Sequence, residues 1–383
     1  MKVIIAAAGT GGHINPALAI ANKIKQEEPN SKIVFIGTDR GLENDLVPRA
    51  GYELKTIDAY GFNRKISIDN IKKIYKTFKS IKQVKKIIEE VKPDIMIGTG
   101  GYICVPVGLA ASKKSVPIVL HESNAFPGVA IKILSKKANT ILLGFEDAKK
   151  RIPKAKNVVV VGNPTKVKKL NLTQKQKEDI INKIGLNTNK PILLVFGGSQ
   201  GAQRINESLI NIINEHLNTN YQIIWATGPN QYDEIKSKLK SLNISINNIK
   251  DVKILPYIYN MEEVMNCADL VVSRSGAMTI TEISVVGKPS IFIPFPYATE
   301  NHQEYNARVL ENVNAAKIIL DSKLDEKILN STINEIINDK SKMEEMGKNA
   351  HKVSIKDVED KIYVELCNIL RTEKPWKVQD YNI

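Results

Sequence analysis

The fold is decided by residues 3–13, which read VIIAAAGTGGH. The apolar part predicts a short buried strand, and Asn15 as N-cap with Pro16 at the first helical position predicts the helix that follows. A strand, a glycine turn and a helix together present backbone N–H groups to an anion. His13 stands at the exit of the turn, and histidine is readily poised as a base near neutral pH. The segment therefore predicts a phosphate site with a base beside it.

Two further glycine turns follow apolar strands in the same way. Residues 98–102 read GTGGY after the strand predicted at Ile95–Ile97, and residues 197–202 read GGSQGA after the strand predicted at Ile192–Phe196. None has the G-x-G-x-x-G dinucleotide spacing or the Walker pattern. Glycine lets the backbone approach a ligand closely. Three such turns predict two Rossmann-like, doubly wound parallel sheets that face a shared cleft.

Length and strand pattern agree with this α/β architecture. A chain of 383 residues suggests two domains, each with a sizeable core. We expect residues 1–163 to form the first domain, residues 164–351 the second, and a C-terminal helix at about 352–383 to pack back on the first. The remaining predicted strands are Ile33–Ile36, Ile118–Leu120, Thr140–Leu143, Val158–Val161, Gln222–Ala226, Val252–Leu255, Leu270–Ser273, Ser290–Ile293 and Ala316–Ile319.

Cysteine usage and hydropathy bear on the compartment. The three cysteines have no metal-like spacing, which suits a reducing cytosol. The N-terminal apolar run is too short for a signal peptide, and no stretch is long enough to span a bilayer. We therefore expect an intracellular chain that can lie on a membrane surface.

The net charge of +14 includes one strongly basic segment between Phe62 and Val91. Its apolar residues recur with a helical period, which predicts an amphipathic helix with Asp69 as N-cap and an end near Pro93. Most of its lysines are expected to form an ordinary solvated face. Exposed apolar residues among the lysines of its first half would suit an anionic leaflet, whereas no motif supports nucleic acid. The residues predicted to meet the membrane are Ile66, Ile71, Lys72, Lys73, Ile74, Lys76, Phe78, Lys79 and Ile81.

The second half contains a dense polar constellation. The strand predicted at Leu270–Ser273 leads into Ser275-Gly276 and a helix-compatible run, which again offers a helix N-terminus to a phosphate. Glu282 is expected about two turns inside that helix, where a carboxylate can accept both hydrogen bonds of a ribose diol. Gln303, just before another helix, could reach sugar hydroxyls.

In these motifs the chain resembles the MurG family of N-acetylglucosaminyltransferases. The resemblance runs from Val3 to about Ala316 and rests on GTGGH, GTGGY, HESNAFPG, GNP, GGSQGA, SRSGAMTITE and PFPYATENHQEYNA, in this order. It implies a GT-B fold and transfer of GlcNAc from UDP-GlcNAc, with inversion, to the MurNAc 4-hydroxyl of lipid I, giving lipid II for peptidoglycan synthesis. The first domain would bind the lipid acceptor at the cytoplasmic face of the membrane, and the second would bind UDP-GlcNAc. Other cell-wall synthesis proteins are possible partners.

The resemblance also assigns residues. His13 would be the general base. Ser199 and the helix after Gly276 would hold the UDP phosphates, Ile258 would face the uracil, and Asn124, Ala277 and Gln303 would contact the GlcNAc. The residues implied for the acceptor diphosphate are Thr10, Gly11, Gly12, Gly100, Gly101 and Tyr102. Those implied for UDP-GlcNAc are Thr10, Gly11, Gly12, His13, Asn124, Lys166, Ser199, Ile258, Ala277, Met278, Thr279, Glu282 and Gln303.

Two positions depart from the family pattern. Lys166 stands where relatives often have arginine, which keeps the charge but loses bidentate geometry. His302 stands where some relatives have a second glutamine, whose amide an imidazole does not reproduce. Helix N-termini can stabilise the leaving diphosphate, and we expect neither a metal nor a cofactor. Two alternatives share this architecture: another GT-B transferase that glycosylates a lipid such as diacylglycerol, and a UDP-GlcNAc 2-epimerase.

Overall fold

The computed structural model describes residues 1–61, 68–198, 202–246 and 249–373, with the side chains of 68–74 and 78 left out of the description. The chain forms two compact units. Unit 1 comprises Met1–Thr165 together with the C-terminal segment that begins at Ile355, and unit 2 comprises Lys166–Ser354.

Unit 1 is built around a parallel sheet of seven strands with helices on both faces. The strands are β1 (Lys2–Ala6), β2 (Lys32–Gly37), β3 (Glu53–Thr56), β4 (Ile95–Gly98), β5 (Ile118–Glu122), β6 (Thr140–Leu143) and β7 (Val158–Val160). The helices are α1 (Gly11–Glu27), α2 (Glu43–Arg49), α3 (Ile68–Val91), α4 (Cys104–Lys113), α5 (Val129–Leu134) and, from the C-terminal segment, α14 (Val358–Glu373). The strand order is β3-β2-β1-β4-β5-β6-β7.

Unit 2 repeats this design with six parallel strands in the order β10-β9-β8-β11-β12-β13. They are β8 (Ile192–Phe196), β9 (Gln222–Ala226), β10 (Val252–Leu255), β11 (Leu270–Ser273), β12 (Ser290–Phe292) and β13 (Ala316–Ile318). Its helices are α6 (Gln174–Ile184), α7 (Gln203–Asn214), α8 (Tyr232–Ser241), α9 (Met261–Cys267), α10 (Ala277–Val286), α11 (His302–Glu311), α12 (Glu326–Ile337) and α13 (Lys340–Val353).

The apolar strands are buried because helices cover both faces of each sheet. Residue Ile4 of β1 pairs with Met96 of β4, and both side chains lie in one core, whereas Ile5 and Ile97 lie in the core on the opposite face. Such two-sided burial explains why these strands read as continuous apolar runs. The α/β fold with two parallel sheets is thus confirmed.

The C-terminal helix α14 belongs to the core of unit 1. Its Ile362 and Leu366 are buried in the same cluster as Ile14 and Ile20 of α1. At the rim, the Tyr363 hydroxyl donates to Glu28 at 3.1 Å, which ties α14 to the end of α1. The chain thus returns to its first unit after completing the second.

Candidate active site

The two glycine turns of unit 1, and Gly197-Gly198 at the start of the third turn, lie at the topological switch points of their sheets. In unit 1 this point is between β1 and β4, and in unit 2 it is between β8 and β11. Ligands of open α/β sheets bind at the carboxyl ends of the strands at such points. Thr99, which follows β4, donates its hydroxyl proton to the His13 carbonyl at 2.8 Å and so joins the two turns of unit 1. The two turns of unit 1, which are far apart in the sequence, therefore lie at the same edge of its sheet.

Helix α1 begins at Gly11, five residues earlier than the predicted start at Pro16. Thr10, in extended conformation, is the N-cap, and the Ile14 N–H donates to its carbonyl at 3.2 Å. Asn15 as N-cap is therefore wrong, because the helical hydrogen bonds already start at Thr10, and Pro16 is tolerated close to the helix start. His13 consequently lies in the first turn, where the N–H groups of a helix point outward.

The His13 ring is packed against the second glycine turn. Its Nδ1 lies 3.2 Å from the Ala8 carbonyl oxygen, which can only accept, so Nδ1 carries the proton and Nε2 the lone pair. A Cβ on Gly100 would stand 2.5 Å from His13 Cδ2, and one on Gly101 would stand 2.9 Å from the Ala8 oxygen. Both glycines also have positive φ, +115° and +80°. Only glycine allows this approach of the turn to the ring.

Asn124 lies on a loop that a buried carboxylate organises. Glu122, at the end of β5, accepts hydrogen bonds from the backbone N–H of Asn124 at 2.8 Å, from its side-chain amide at 3.0 Å and from the N–H of Gly128 at 2.7 Å. Burial raises the pKa of Glu122, against the effect of these hydrogen bonds. Glu122 has no role predicted from the sequence, although it lies within the HESNAFPG motif.

His121 beside it is fully buried and structural. Its Nε2–H donates to the Gly162 carbonyl at 3.0 Å. Burial lowers its pKa to about 4, although this hydrogen bond opposes the shift. The neutral ring thus joins β5 to the segment that leaves unit 1.

In unit 2 the switch point carries helix α10. Gly276, in extended conformation, is its N-cap, so the first-turn N–H groups of Ala277, Met278 and Thr279 point outward. Glu282 is the sixth residue of α10 and follows Thr279 by three positions, which places both on one face, about 4.5 Å apart along the axis. Ser199, after β8, lies outside the described residues. The helix N-terminus predicted for the phosphates and the residue predicted for the ribose thus belong to one helix.

Gln303 braces the loop that precedes α10. Its Oε1 accepts from the Ser275 N–H at 3.3 Å and from the Phe295 N–H at 3.0 Å, and its backbone carbonyl accepts from the Ser275 hydroxyl at 2.8 Å. Asn306, one turn further along α11, donates its side-chain amide to the Ser275 carbonyl at 3.2 Å. The sequence predicts only a sugar contact for Gln303, whereas its side-chain oxygen also joins the loops of Ser275 and Phe295.

Three other predicted positions differ in exposure. The Ile258 side chain is 3% exposed, so it packs inside unit 2, while its neighbours Tyr257 and Tyr259 are exposed with ring centroids 5.0 Å apart. Lys166 is exposed on the segment before α6. His302 is half-buried, donates Nδ1–H to the Thr299 carbonyl at 2.7 Å and has a pKa lowered by burial.

The basic helix α3 presents lysines on its exposed side. Its described buried residues are Thr77, Ser80, Val84, Ile88 and Val91. Lys76 and Lys79 are exposed, as is Tyr75, and a pocket of about 660 Å³ lies along them. Ile81 packs against the core of unit 1, so its predicted contact with a membrane is not supported.

Several predictions for this region concern residues without a full description. Ile66 lies outside the described residues, as do the side chains of Ile71, Lys72, Lys73, Ile74 and Phe78. Helix α3 starts at Ile68, so Asp69 is not the N-cap but lies within the first turn. Within the described ranges, no helix is long and apolar enough to cross a membrane.

Comparisons with known proteins agree with this arrangement. The model of the glycosyltransferase family 28 N-terminal domain matches residues 3–143, and that of the family 28 C-terminal domain matches residues 192–362. The UDP-GlcNAc 2-epimerase of Neisseria meningitidis, solved with UDP-GlcNAc bound, has 16% identity and a TM-score of 0.62 over 96% of this chain and 100% of that one. At that identity the likeness concerns the fold alone.

Closer similarity is found among peptidoglycan enzymes. The crystal structure of MurG from Acinetobacter baumannii has 27% identity and a TM-score of 0.75, covering 95% of this chain and 98% of that one. A protein of Ruminiclostridium cellulolyticum is 43% identical over 95% of this chain and 98% of its own length. It is named UDP-N-acetylglucosamine–N-acetylmuramyl-(pentapeptide) pyrophosphoryl-undecaprenol N-acetylglucosamine transferase. This chain therefore belongs to the same family, the MurG family, and is an N-acetylglucosaminyltransferase.

Proposed function

We propose that the chain transfers GlcNAc from UDP-GlcNAc to the 4-hydroxyl of the MurNAc-pentapeptide of lipid I, which yields lipid II and UDP. The observation that carries the proposal is the His13 ring, held against Gly100 and Gly101 beside the start of α1. A base next to a helix N-terminus suits an acceptor that carries both a hydroxyl and a diphosphate. The product would serve peptidoglycan synthesis and, through it, cell shape and division.

The donor is assigned to unit 2. The start of α10 would bind the UDP phosphates through the N–H groups of Ala277, Met278 and Thr279, and Glu282 would accept the ribose hydroxyls. Ser199 would add a phosphate contact, Ile258 would face the base, and Lys166 would add positive charge. Gln303 would keep Ser275 and Phe295 in place beside the sugar.

The acceptor is assigned to unit 1. Thr10, Gly11 and Gly12 at the start of α1, with Gly100, Gly101 and Tyr102, would hold its diphosphate, and Asn124 would contact the transferred sugar. These turns lie together at the carboxyl edge of β1 and β4. The proposal requires that the acceptor hydroxyl reach the donor C1 during the reaction.

The transfer is a single displacement. The acceptor O4 attacks C1 of GlcNAc from the face opposite the diphosphate, so the O4–C1 bond forms as the bond from C1 to the β-phosphate oxygen breaks. The hydroxyl proton moves to His13 Nε2, and the electron pair of the broken bond leaves with UDP. The N-terminus of α10 would stabilise the negative charge that develops on the diphosphate. Inversion at C1 follows from the backside attack.

We also propose that α3 attaches the protein to the membrane. Lys76 and Lys79 are exposed, and each lysine near an anionic leaflet contributes attraction of about 1 kcal/mol. Tyr75, which is 69% exposed, adds an aromatic ring of the kind found at lipid interfaces. A site of this kind would bring the acceptor half of the enzyme to its lipid-linked substrate at the cytoplasmic face.

The deciding experiment incubates the protein with UDP-GlcNAc and a short-chain lipid I analogue and looks for the disaccharide product. His13→Ala should lower kcat by about 10²–10⁴-fold and leave UDP affinity unchanged, because the base acts on the acceptor. His216→Ala is the control, since His216 is exposed in unit 2. Formation of free ManNAc from UDP-GlcNAc without disaccharide would favour the epimerase alternative. Disaccharide formation with wild-type turnover in His13→Ala would refute the base assignment.

A further inference from the structure

A buried carboxylate lies directly behind the first glycine turn. Glu43, the first residue of α2, is fully buried. Its Oε2 accepts from the Gly9 N–H at 2.9 Å, and its Oε1 accepts from the Thr38 N–H at 3.0 Å and from the Thr38 hydroxyl at 2.8 Å. Three donors thus converge on one carboxylate that neither the donor site nor the acceptor site uses.

The backbone around Glu43 is built to admit this carboxylate. A Cβ on Gly37 would stand 2.7 Å from Glu43 Cγ, and a Cβ on Gly41 would stand 2.0 Å from Glu43 Oε2. Any side chain at residue 41 would therefore displace the carboxylate from Gly9. Burial by itself raises the pKa of Glu43, but the hydrogen bonds from Gly9 and Thr38 outweigh it, so the net pKa is lowered and the group stays ionised.

One peptide group connects Glu43 to His13. The N–H that Glu43 binds belongs to Gly9, and the carbonyl of the same peptide unit belongs to Ala8, which accepts the Nδ1 proton of His13 at 3.2 Å. A peptide unit is planar, so fixing its N–H also fixes its carbonyl. A negative charge at the N–H end polarises the carbonyl oxygen and makes it a better acceptor.

We propose that Glu43 is a positioning residue for the glycosyl transfer: through the Ala8–Gly9 peptide it holds the His13 ring in place with the proton on Nδ1 and the lone pair on Nε2. This inference rests on the proposed role of His13 as general base. The arrangement resembles the way a carboxylate fixes the tautomer of a catalytic histidine, with one peptide group inserted between them.

The test compares Glu43→Gln with Thr38→Val. Glu43→Gln replaces one carboxylate oxygen by an NH₂ group. When the remaining oxygen accepts from both Thr38 donors, the NH₂ group faces the Gly9 N–H, and the hydrogen bond to Gly9 is lost. We expect kcat to fall about 10–100-fold, as it does when a group that orients a metal-bound histidine is removed, with the KM for UDP-GlcNAc unchanged. Thr38→Val removes only the 2.8 Å bond on the other oxygen and should keep wild-type kcat. Equal losses of kcat in both variants would indicate a structural role and overturn the proposal.

A double variant shows whether the effect passes through His13. Adding Glu43→Gln to His13→Ala should cause no further loss of kcat, because the group that Glu43 orients is gone. A full additional loss would overturn the proposal. If His13→Ala itself keeps wild-type kcat, the base assignment fails, and the tautomer measurement below still decides whether Glu43 orients the ring.

Nitrogen-15 NMR of protein labelled at histidine identifies the tautomer of His13 independently of the enzyme's activity. The His13 signals are assigned by their disappearance in His13→Ala. We expect the Nδ1–H tautomer in the wild type and a mixture of tautomers in Glu43→Gln. If Glu43→Gln does not fold, Gly41→Ala replaces it in the experiment. The Cβ of the new alanine would displace the Glu43 carboxylate from Gly9 without removing the negative charge of Glu43. An Nε2–H tautomer in the wild type, or the same tautomer in the wild type and a folded variant, would overturn the proposal.

Discussion

Replacing Gln303 by alanine removes one oxygen that serves two loops. Oε1 of Gln303 accepts from the Ser275 N–H at 3.3 Å and from the Phe295 N–H at 3.0 Å. Ser275 immediately precedes Gly276, the N-cap of the helix proposed to bind the UDP phosphates. We therefore expect Gln303→Ala to loosen the phosphate site rather than to remove a sugar contact alone.

The magnitude follows from the two bonds and their surroundings. Each neutral hydrogen bond contributes about 0.5–1.5 kcal/mol, and the 3.3 Å bond is beyond the usual N–H···O range and belongs at the lower end. Ser275 is fully buried, so its N–H would lose its partner without gaining water, which adds to the cost. Together these losses amount to about 2 kcal/mol. Part of the binding free energy of the ligand is then used to reorder the loop, which corresponds to roughly 30-fold weaker binding.

Calorimetric titration with UDP and with UDP-GlcNAc measures the effect. Gln303→Ala should weaken both ligands by a similar factor. Gln174→Ala, on the exposed start of α6, is the control. Wild-type UDP affinity in a folded Gln303→Ala variant would refute the bracing role.

Three further perturbations test other parts of the molecule. Glu282→Ala should weaken UDP binding by the roughly 1.5–3 kcal/mol of charge-assisted hydrogen bonds to the ribose, and calorimetry showing unchanged affinity would reject that role. His121, with its pKa lowered by burial to about 4, binds fewer protons in the folded than in the unfolded chain, so folding stability should fall as the pH drops below about 6.5. The loss should reach about 2 kcal/mol at pH 5 in unfolding experiments and be smaller in His121→Gln; a folded His121→Gln variant with the pH dependence of the wild type would contradict this reasoning. Changing Lys72, Lys73, Lys76 and Lys79 to Gln should reduce sedimentation of the protein with anionic liposomes. It should also slow turnover of a long-chain acceptor but not of a short-chain one. Equal liposome binding by variant and wild type at moderate salt would show that these lysines are only solvated.

Much of the fold could be predicted because its signals are local. Apolar runs bounded by glycine turns predicted the parallel strands of both sheets. Strand β3 was missed, since Glu53-Leu54-Lys55-Thr56 is half polar and lies at a sheet edge, where only its pairing with β2 makes it a strand. The start of α1 was misplaced because Asn15-Pro16 has the local pattern of a helix start, whereas the hydrogen bonds begin at Thr10.

By itself, the sequence determined the α/β class, the three glycine turns, the family and His13 as the candidate base. The fold class and the turns follow from residues adjacent in the chain, whose conformational preferences act locally, whereas the family follows from the order of motifs between Val3 and about Ala316. Only the tertiary structure decided what holds those residues in place: Glu43 behind Gly9, Gln303 between Ser275 and Phe295, and Gly100 against the His13 ring. These contacts join residues that are not neighbours in the sequence, and hydrogen-bond geometry and close packing between them exist only once the sheets have formed.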